Sequence, residues 1–212
     1  TTAACTALAD EPIGIFGWGM TPTGWVALMG SGASEWVDRT LDCRQIFGDS
    51  IMDLRTRLIE AKEPAEQFHI GQTAATEIFR RAAKSPFEFT SIVDAWLLND
   101  DNPDIEQLVA DTGLSQRQLE RMTKRYYGMP PKKLARKYRA VRAAHLLAKG
   151  DSLDDTALGL AFYDQSHLIR EIKQFTLLTP TELKNGSSIL TTATMQGRGS
   201  LTGQVSPLVS ES

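Results

Sequence analysis

Two sets of hydrogen-bonding side chains recur along the chain, at residues 116–121 and 165–170. In each set a leucine, Leu119 or Leu168, takes an inward helical position, which leaves the polar side chains on the outer face. A guanidinium can bind guanine through two hydrogen bonds, a carboxamide suits adenine, and a carboxylate can accept from cytosine. The outward residues are therefore candidates for reading base edges in DNA: Gln116, Arg117, Glu120 and Arg121, then Gln165, Ser166, His167 and Arg170.

Both sets belong to an internal duplication. The pattern L-x-R-x-x-K-x-Y at 119–126 recurs 49 residues later as L-x-R-x-x-K-x-F at 168–175. At the same offset, P-x-x-L at 131–134 recurs at 180–183. Upstream, residues 105–113 match residues 153–161 at an offset of 48. The change from 48 to 49 predicts one extra residue in the turn of the second copy. Each copy has the pattern of a short helix, a tight turn and a second helix, the helix-turn-helix arrangement. The second helix of such a unit can lie in the major groove.

A long helix is predicted between the two copies, from about Lys132 to Lys149, with Gly150 as its stop. Its 18 residues span about 27 Å at a rise of 1.5 Å per residue. With the width of the flanking units, the two reading helices could lie about one DNA turn apart, ~34 Å. Both could then enter adjacent major grooves from one side of the duplex.

The charge distribution supports the same hypothesis. Residues 114–149 contain eleven Lys and Arg and one acid, Glu120, for a net charge of +10, whereas the whole chain carries −3. Basic segments of this kind can contact phosphates, which supply much of the affinity for DNA but little of the specificity. The phosphate-contact candidates are Lys124, Arg125, Lys132, Lys133, Arg136 and Lys173.

Capping residues mark the helices of the first unit. Asp104 is placed to cap a helix that Gly113 ends, and Ser115 to cap one that Gly128 ends. Thr90 is expected to cap a helix running to Asn99.

Weaker signals lie nearer the N-terminus. Ser34 is a plausible cap before EWVDRTLD, Ile51, Leu54 and Leu58 have the spacing of a helix face, and another helix is expected across residues 73–83. The segments IGIF and GWGM could form residual strands.

The predicted fold is mainly α, with two helix-turn-helix units joined by a long linker helix. Ser85-Pro86 marks a break. The expected domains are a partial N-terminal regulatory region at 1–86, a double helix-turn-helix DNA-binding domain at 87–186, and a disordered tail rich in Ser, Thr and Gly at 187–212.

Residues 94–185 resemble the DNA-binding domain of the AraC/XylS family. The matching runs are LVADTGLSQRQLERMTKRYYGMPPKKLARKYRAVRAAHLLAKG and ALGLAFYDQSHLIREIKQFTLLTPTELK, of which FYDQSHLIREIKQF is the most specific. The resemblance implies a transcription regulator and supports the groove-facing positions named above. It also identifies departures: Ala161 and Leu177 stand where the second unit usually has glycine, and Leu177 is expected at a strained positive φ. GWVALMGSGASEWVDRTLDCRQIFGDSIMDLRTRLIEA is similar, more weakly, to the end of a regulatory domain of that family.

Other function classes find less support. No catalytic motif or metal-ligand spacing occurs, so no enzyme, cofactor or metal is expected. Two cysteines, no long apolar run and no signal-peptide pattern favour a cytoplasmic protein without a membrane span.

Besides a double-stranded DNA operator, the partners left open are a small-molecule effector, a homodimer and RNA polymerase. The rival hypothesis is an effector-sensing or protein-interaction module whose DNA binding is weak or lost; a DNA-repair methyl acceptor is disfavoured because no cysteine cluster accompanies Cys5 and Cys43.

Overall fold

A computed structural model describes residues 15–80, 88–153 and 156–185 of the 212-residue chain. The described residues are mainly helical and contain no strand, as the mainly α prediction requires. The residual strands expected near the N-terminus are not found at residues 15–20, which have no regular structure. Gly17 and Gly19 weaken strand formation there, and no second strand is present in the described part to pair with them. Ile13 and Gly14, and the tail predicted at 187–212, lie outside the described residues.

The described part of the N-terminal region contains the α-helices α1 (Pro22–Met29), α2 (Cys43–Phe47), α3 (Ser50–Glu60) and α4 (Pro64–Arg80). The predicted helical face on α3 is confirmed, and its central Leu54 is buried. α4 begins nine residues before the predicted position, with Pro64 in its first turn, where the missing amide hydrogen costs nothing. The break predicted at Ser85-Pro86 lies outside the described residues.

The helix predicted after Ser34 is not formed. A 3-10 helix, Ala33–Glu35, occupies this place, and Ser34 lies inside it rather than at its cap. The Glu35 carboxylate accepts a hydrogen bond from the Gly32 amide at 3.2 Å, which closes the single turn. Asp38 has a φ of 57°, a left-handed conformation that an α-helix cannot contain. The chain therefore leaves the helical path within one turn.

The first helix-turn-helix unit follows the capping signals closely. It comprises α5 (Glu88–Asn99), α6 (Ile105–Thr112) and α7 (Gln116–Tyr127). Asp104 accepts a hydrogen bond from the Glu106 amide at 3.1 Å, and Ser115 and Gln118 form a reciprocal capping box. Gly113 and Gly128 end their helices at φ of 63° and 76°. Thr90 is not the cap of α5, because it lies within the helix and bonds the Thr23 hydroxyl of α1 instead.

The linker helix α8 (Pro131–Lys149) belongs to two cores. Leu134, near its start, packs in one core with residues of α5 to α7, such as Val93 and Leu108. Leu147, near its end, packs in a second core with residues such as Ile172. A continuous helix with buried side chains in both cores sets the position of one unit relative to the other.

The second unit consists of α9 (Ala157–Leu160), α10 (Gln165–Thr176) and α11 (Pro180–Lys184). The turn before α10 contains residues 161–164, whereas the turn before α7 contains residues 113–115. The extra residue predicted from the change of offset is therefore confirmed. α9 is shorter than its counterpart α6, so the duplication is less regular there.

Leu177 ends α10 in the left-handed conformation, with a φ of 62°. Its amide donates to the Lys173 carbonyl at 3.0 Å, the bond that Gly128 makes to Lys124 in the first unit. The positive φ predicted at Leu177 is thereby confirmed. Ala161, the other position where glycine was expected, does not have a positive φ.

We expect Leu177→Gly to raise the free energy of unfolding by about 1 kcal/mol. Relief of the left-handed strain is worth ~1–2 kcal/mol, from which the larger entropy of glycine in the unfolded chain subtracts. Gly113→Ala is the matched control: its φ is 63° and a Cβ there would meet no atom within 4 Å, so the added strain is offset only in part by the lower entropy of the unfolded chain. Urea unfolding should give opposite signs for the two variants. A loss of stability in Leu177→Gly would show that the leucine side chain contributes more than the strain costs.

The N-terminal region packs against the first unit at the end of α7. Val26 of α1 lies in the same core as Val93. A Cβ at Gly128 would lie 2.5 Å from Val37 Cγ2, so glycine is required there for close approach as well as for its φ. Residues 116–118, 120 and 121, in the first turns of α7, lie exposed. No helix in the described part of the chain is long and apolar enough to cross a membrane.

Candidate nucleic-acid interface

The start of α7 presents four polar side chains to solvent. Leu119 is 1% exposed and anchors the helix in the first core. The capping box formed by Ser115 and Gln118 fixes the first turn. The side chains predicted to read bases all lie exposed: Gln116, Arg117, Glu120 and Arg121.

The end of α7 is held by a partly buried polar contact that the sequence did not reveal. The Tyr127 hydroxyl lies 2.6 Å from Asp94 Oδ1 and 3.2 Å from the Thr90 carbonyl oxygen of α5. Burial raises the pKa of Asp94, while the hydrogen bond from Tyr127 acts in the opposite direction. Burial, followed by the nearby Asp94 charge, raises the pKa of Tyr127. This contact fixes α7 against α5, so the exposed first turns of α7 project from a supported helix.

The start of α10 repeats this arrangement with one exception. Asp164 caps the helix by accepting from the His167 amide at 2.6 Å, and Gln165, Ser166 and Arg170 are exposed. The exception is His167, which is only partly exposed.

The imidazole of His167 is engaged within its own unit. Its Nδ1 accepts a hydrogen bond from the Tyr163 amide at 3.2 Å, and its ring packs edge-on against Phe162 at 5.8 Å. Its Nε2 lies 3.7 Å from a carboxylate oxygen of Glu171. These contacts orient the turn that leads into α10.

A buried carboxylate joins α10 to the linker helix. Glu171 is 4% exposed and accepts two hydrogen bonds from Arg136 of α8, at 3.0 and 2.6 Å. Burial alone would raise the pKa of Glu171, but the hydrogen bond and charge of Arg136, together with His167 and Arg139, hold that pKa below its ordinary value. The forked geometry fixes direction as well as distance. The pair therefore positions α10 on α8.

Arg139 strengthens the same junction. Its guanidinium lies 5.1 Å from the centroid of the Phe162 ring, and it donates to the Asn102 side chain at 2.7 Å. Burial is the main cause that lowers the pKa of Arg139. Arg142 pairs with Asp101 at 2.9 Å. Part of the positive charge on α8 thus serves internal contacts.

The remaining basic residues are more accessible. Lys133 is partly exposed. Arg136 differs from it, because its guanidinium is bonded to Glu171 and also donates to Gln174 at 3.3 Å. The predicted phosphate-contact residues that lie fully on the surface are Lys124, Arg125, Lys132 and Lys173.

Sequence reasoning did not single out Tyr163. This side chain is 93% exposed and stands in the turn directly before α10, and Leu160 before it is 76% exposed. The sequence feature that could have identified Tyr163 is its position between Phe162, which is buried, and Asp164, which caps α10.

Comparison with protein families identifies this part of the chain. Residues 108–186 match the model of a family described as a helix-turn-helix domain. The match begins within α6, ends just after α11, and includes α7, α8 and α10. The chain therefore contains a helix-turn-helix domain, a class of domain that binds DNA. Comparison with the curated proteins gave no significant match, and comparison with the solved structures gave none.

Proposed function

We propose that the protein is a sequence-specific DNA-binding transcription regulator of the AraC/XylS type. Its two reading helices, α7 and α10, would enter successive major grooves of one operator. The observation that carries this proposal is that each of these helices exposes its first turns while α8 contributes side chains to the cores of both units. Such a rigid pair of reading helices suits a bipartite site.

The side chains divide into three proposed roles. Base edges are read by Gln116, Arg117, Glu120, Arg121, Gln165, Ser166 and Arg170, because these side chains are exposed and match base-edge chemistry. Phosphates are contacted by Lys124, Arg125, Lys132, Lys133 and Lys173. Arg136 and His167 act as positioning residues instead, since their polar groups are already bonded within the domain.

The proposal is tested by the salt dependence of duplex binding. Four or five phosphate contacts predict a slope of about −4 in a plot of log K against log salt concentration. A pure sensor module would bind no duplex, and its signal would not respond to salt. Fluorescence anisotropy with a labelled random-sequence duplex measures this slope.

Matched variants make the test specific. Replacing Lys132 and Lys133 together with alanine should reduce the slope by about 2. Lys62→Ala, an exposed lysine between α3 and α4, should leave the slope unchanged. Equal effects of the two changes would contradict the placement of the phosphate-binding surface on α8.

A further inference from the structure

The N-terminal region contains an open cavity that the proposed DNA-binding surface does not include. It lies among α1, α2, α3, α4 and the segment 15–20, and its volume is about 800 Å³. Pockets for small molecules commonly have volumes of about 300–1,000 Å³. The cavity is therefore large enough for a ligand of moderate size.

Aromatic side chains form much of the wall and remain partly open to water. Phe16 and Trp18 pack edge to face with their ring centroids 6.0 Å apart, yet they are 39% and 37% exposed. The Phe16 ring lies directly over Gly71 of α4, where a Cβ would come within 2.0 Å of it. Phe79 of α4 is 38% exposed. Apolar surface left in contact with water costs free energy, which a ligand covering it would recover.

The polar groups of the wall define the chemistry of that ligand. Among the described lining residues, Arg55 of α3 is the only charged one, and its side chain is exposed. The Gln67 side-chain nitrogen donates to the carbonyls of Leu58 and Ala61 at 3.0 Å each, so it holds the corner between α3 and α4. The cavity therefore combines an apolar interior with one positive charge.

We propose that this cavity is a binding site for an apolar, ring-containing small molecule that carries a single anionic group. The rings would pack among Phe16, Trp18 and Trp25, and Arg55 would pair with the anion. Trp25 lines the cavity while the adjacent Val26 lies in the core of the first helix-turn-helix unit. The ligand would thus contact the helix that packs on α7. Binding at this site does not depend on whether the protein reads DNA.

Two dyes of similar shape test the proposal on the full chain without DNA. Anilinonaphthalene sulfonate carries one anion, and N-phenylnaphthylamine is its uncharged analogue. We expect one equivalent of the sulfonate to bind, and Arg55→Gln to weaken it by about fivefold or more while changing the uncharged dye by less than about twofold. Arg57→Gln, an exposed neighbour on α3 outside the cavity wall, is the matched control and should change neither dye.

A second variant and a chemical probe locate the bound dye. Ala75→Trp fills the cavity from α4 and should abolish binding of both dyes, with thermal unfolding used to verify that the variant folds. Cys43 lines the cavity and is exposed, so in a Cys5→Ser background the sulfonate should slow the alkylation of Cys43.

Dye binding unaffected by Arg55→Gln and Ala75→Trp, or an unchanged alkylation rate, would overturn the proposal. Competition between dye binding and self-association in sedimentation would also overturn it, since the cavity wall would then be a dimer surface.

Discussion

Replacing Arg121 with alanine is expected to weaken binding to the preferred operator by ~1–3 kcal/mol, about 5–150-fold, and to reduce the base preference at one position of the operator. The guanidinium is exposed in the second turn of α7, where the first turns of a reading helix meet base edges. Binding to unrelated duplexes should change little, because that binding comes from phosphate contacts. Anisotropy titrations against the operator and a scrambled duplex measure both quantities.

Lys133→Ala is the matched comparison for Arg121→Ala. Lys133 lies in the first turn of α8 and is expected to contact phosphate. Its removal should weaken all sequences about equally and reduce the salt slope by about 1. If both variants lose affinity uniformly across sequences, the assignment of Arg121 to base readout is wrong.

Replacing Glu171 with alanine is expected to lower the free energy of unfolding of the second unit by about 2 kcal/mol. The variant loses two charge-assisted hydrogen bonds to Arg136 and removes the counter-charge of the half-buried Arg139. The cost falls below that of a fully buried pair, because the Arg136 side chain is 38% exposed and water can solvate it. Glu120→Ala, on the surface of α7, should change stability by less than about 0.5 kcal/mol. Urea unfolding at neutral pH measures both variants, and equal effects would contradict the structural role of Glu171.

The same carboxylate predicts a pH dependence of stability. The pKa of Glu171 is lower in the folded protein than its ordinary value, so the folded state favours the charged form. The stabilisation is therefore fully present above the unfolded pKa of about 4.3 and is lost as the pH falls through the folded value. Glu171→Gln should show a shallower loss of stability on acidification below about pH 5. An unchanged acid profile would show that the ion pair contributes nothing measurable.

The features predictable from the sequence are those determined by nearby residues. Asp104 and Ser115 cap helices through bonds to amides two or three residues away, and Gly128 and Leu177 end helices through their own backbone conformation. The extra turn residue also follows from a local comparison of two copies. Such signals are read from a few consecutive positions.

The features that escaped prediction depend on residues far apart in the chain. Arg136 and Glu171 are 35 positions apart, and nothing in either local sequence indicates that they pair. Thr90 has the chemistry of a cap but bonds Thr23, 67 positions away, from within α5. The partial burial of His167 likewise depends on packing against Phe162. These contacts are the reason for proposing positioning roles for Arg136 and His167, and composition alone could not show them.

The most direct test of the proposed two-helix reading is selection of bound sites from a random duplex pool, using the whole chain at near-physiological salt. The two-helix proposal predicts a bipartite motif whose half-sites lie about 10–10.5 base pairs apart, one turn of the duplex. Arg121→Ala should then reduce the base preference at one position of one half-site, and Arg170→Ala should do so at one position of the other. A single short motif, or binding without any sequence enrichment, would contradict it.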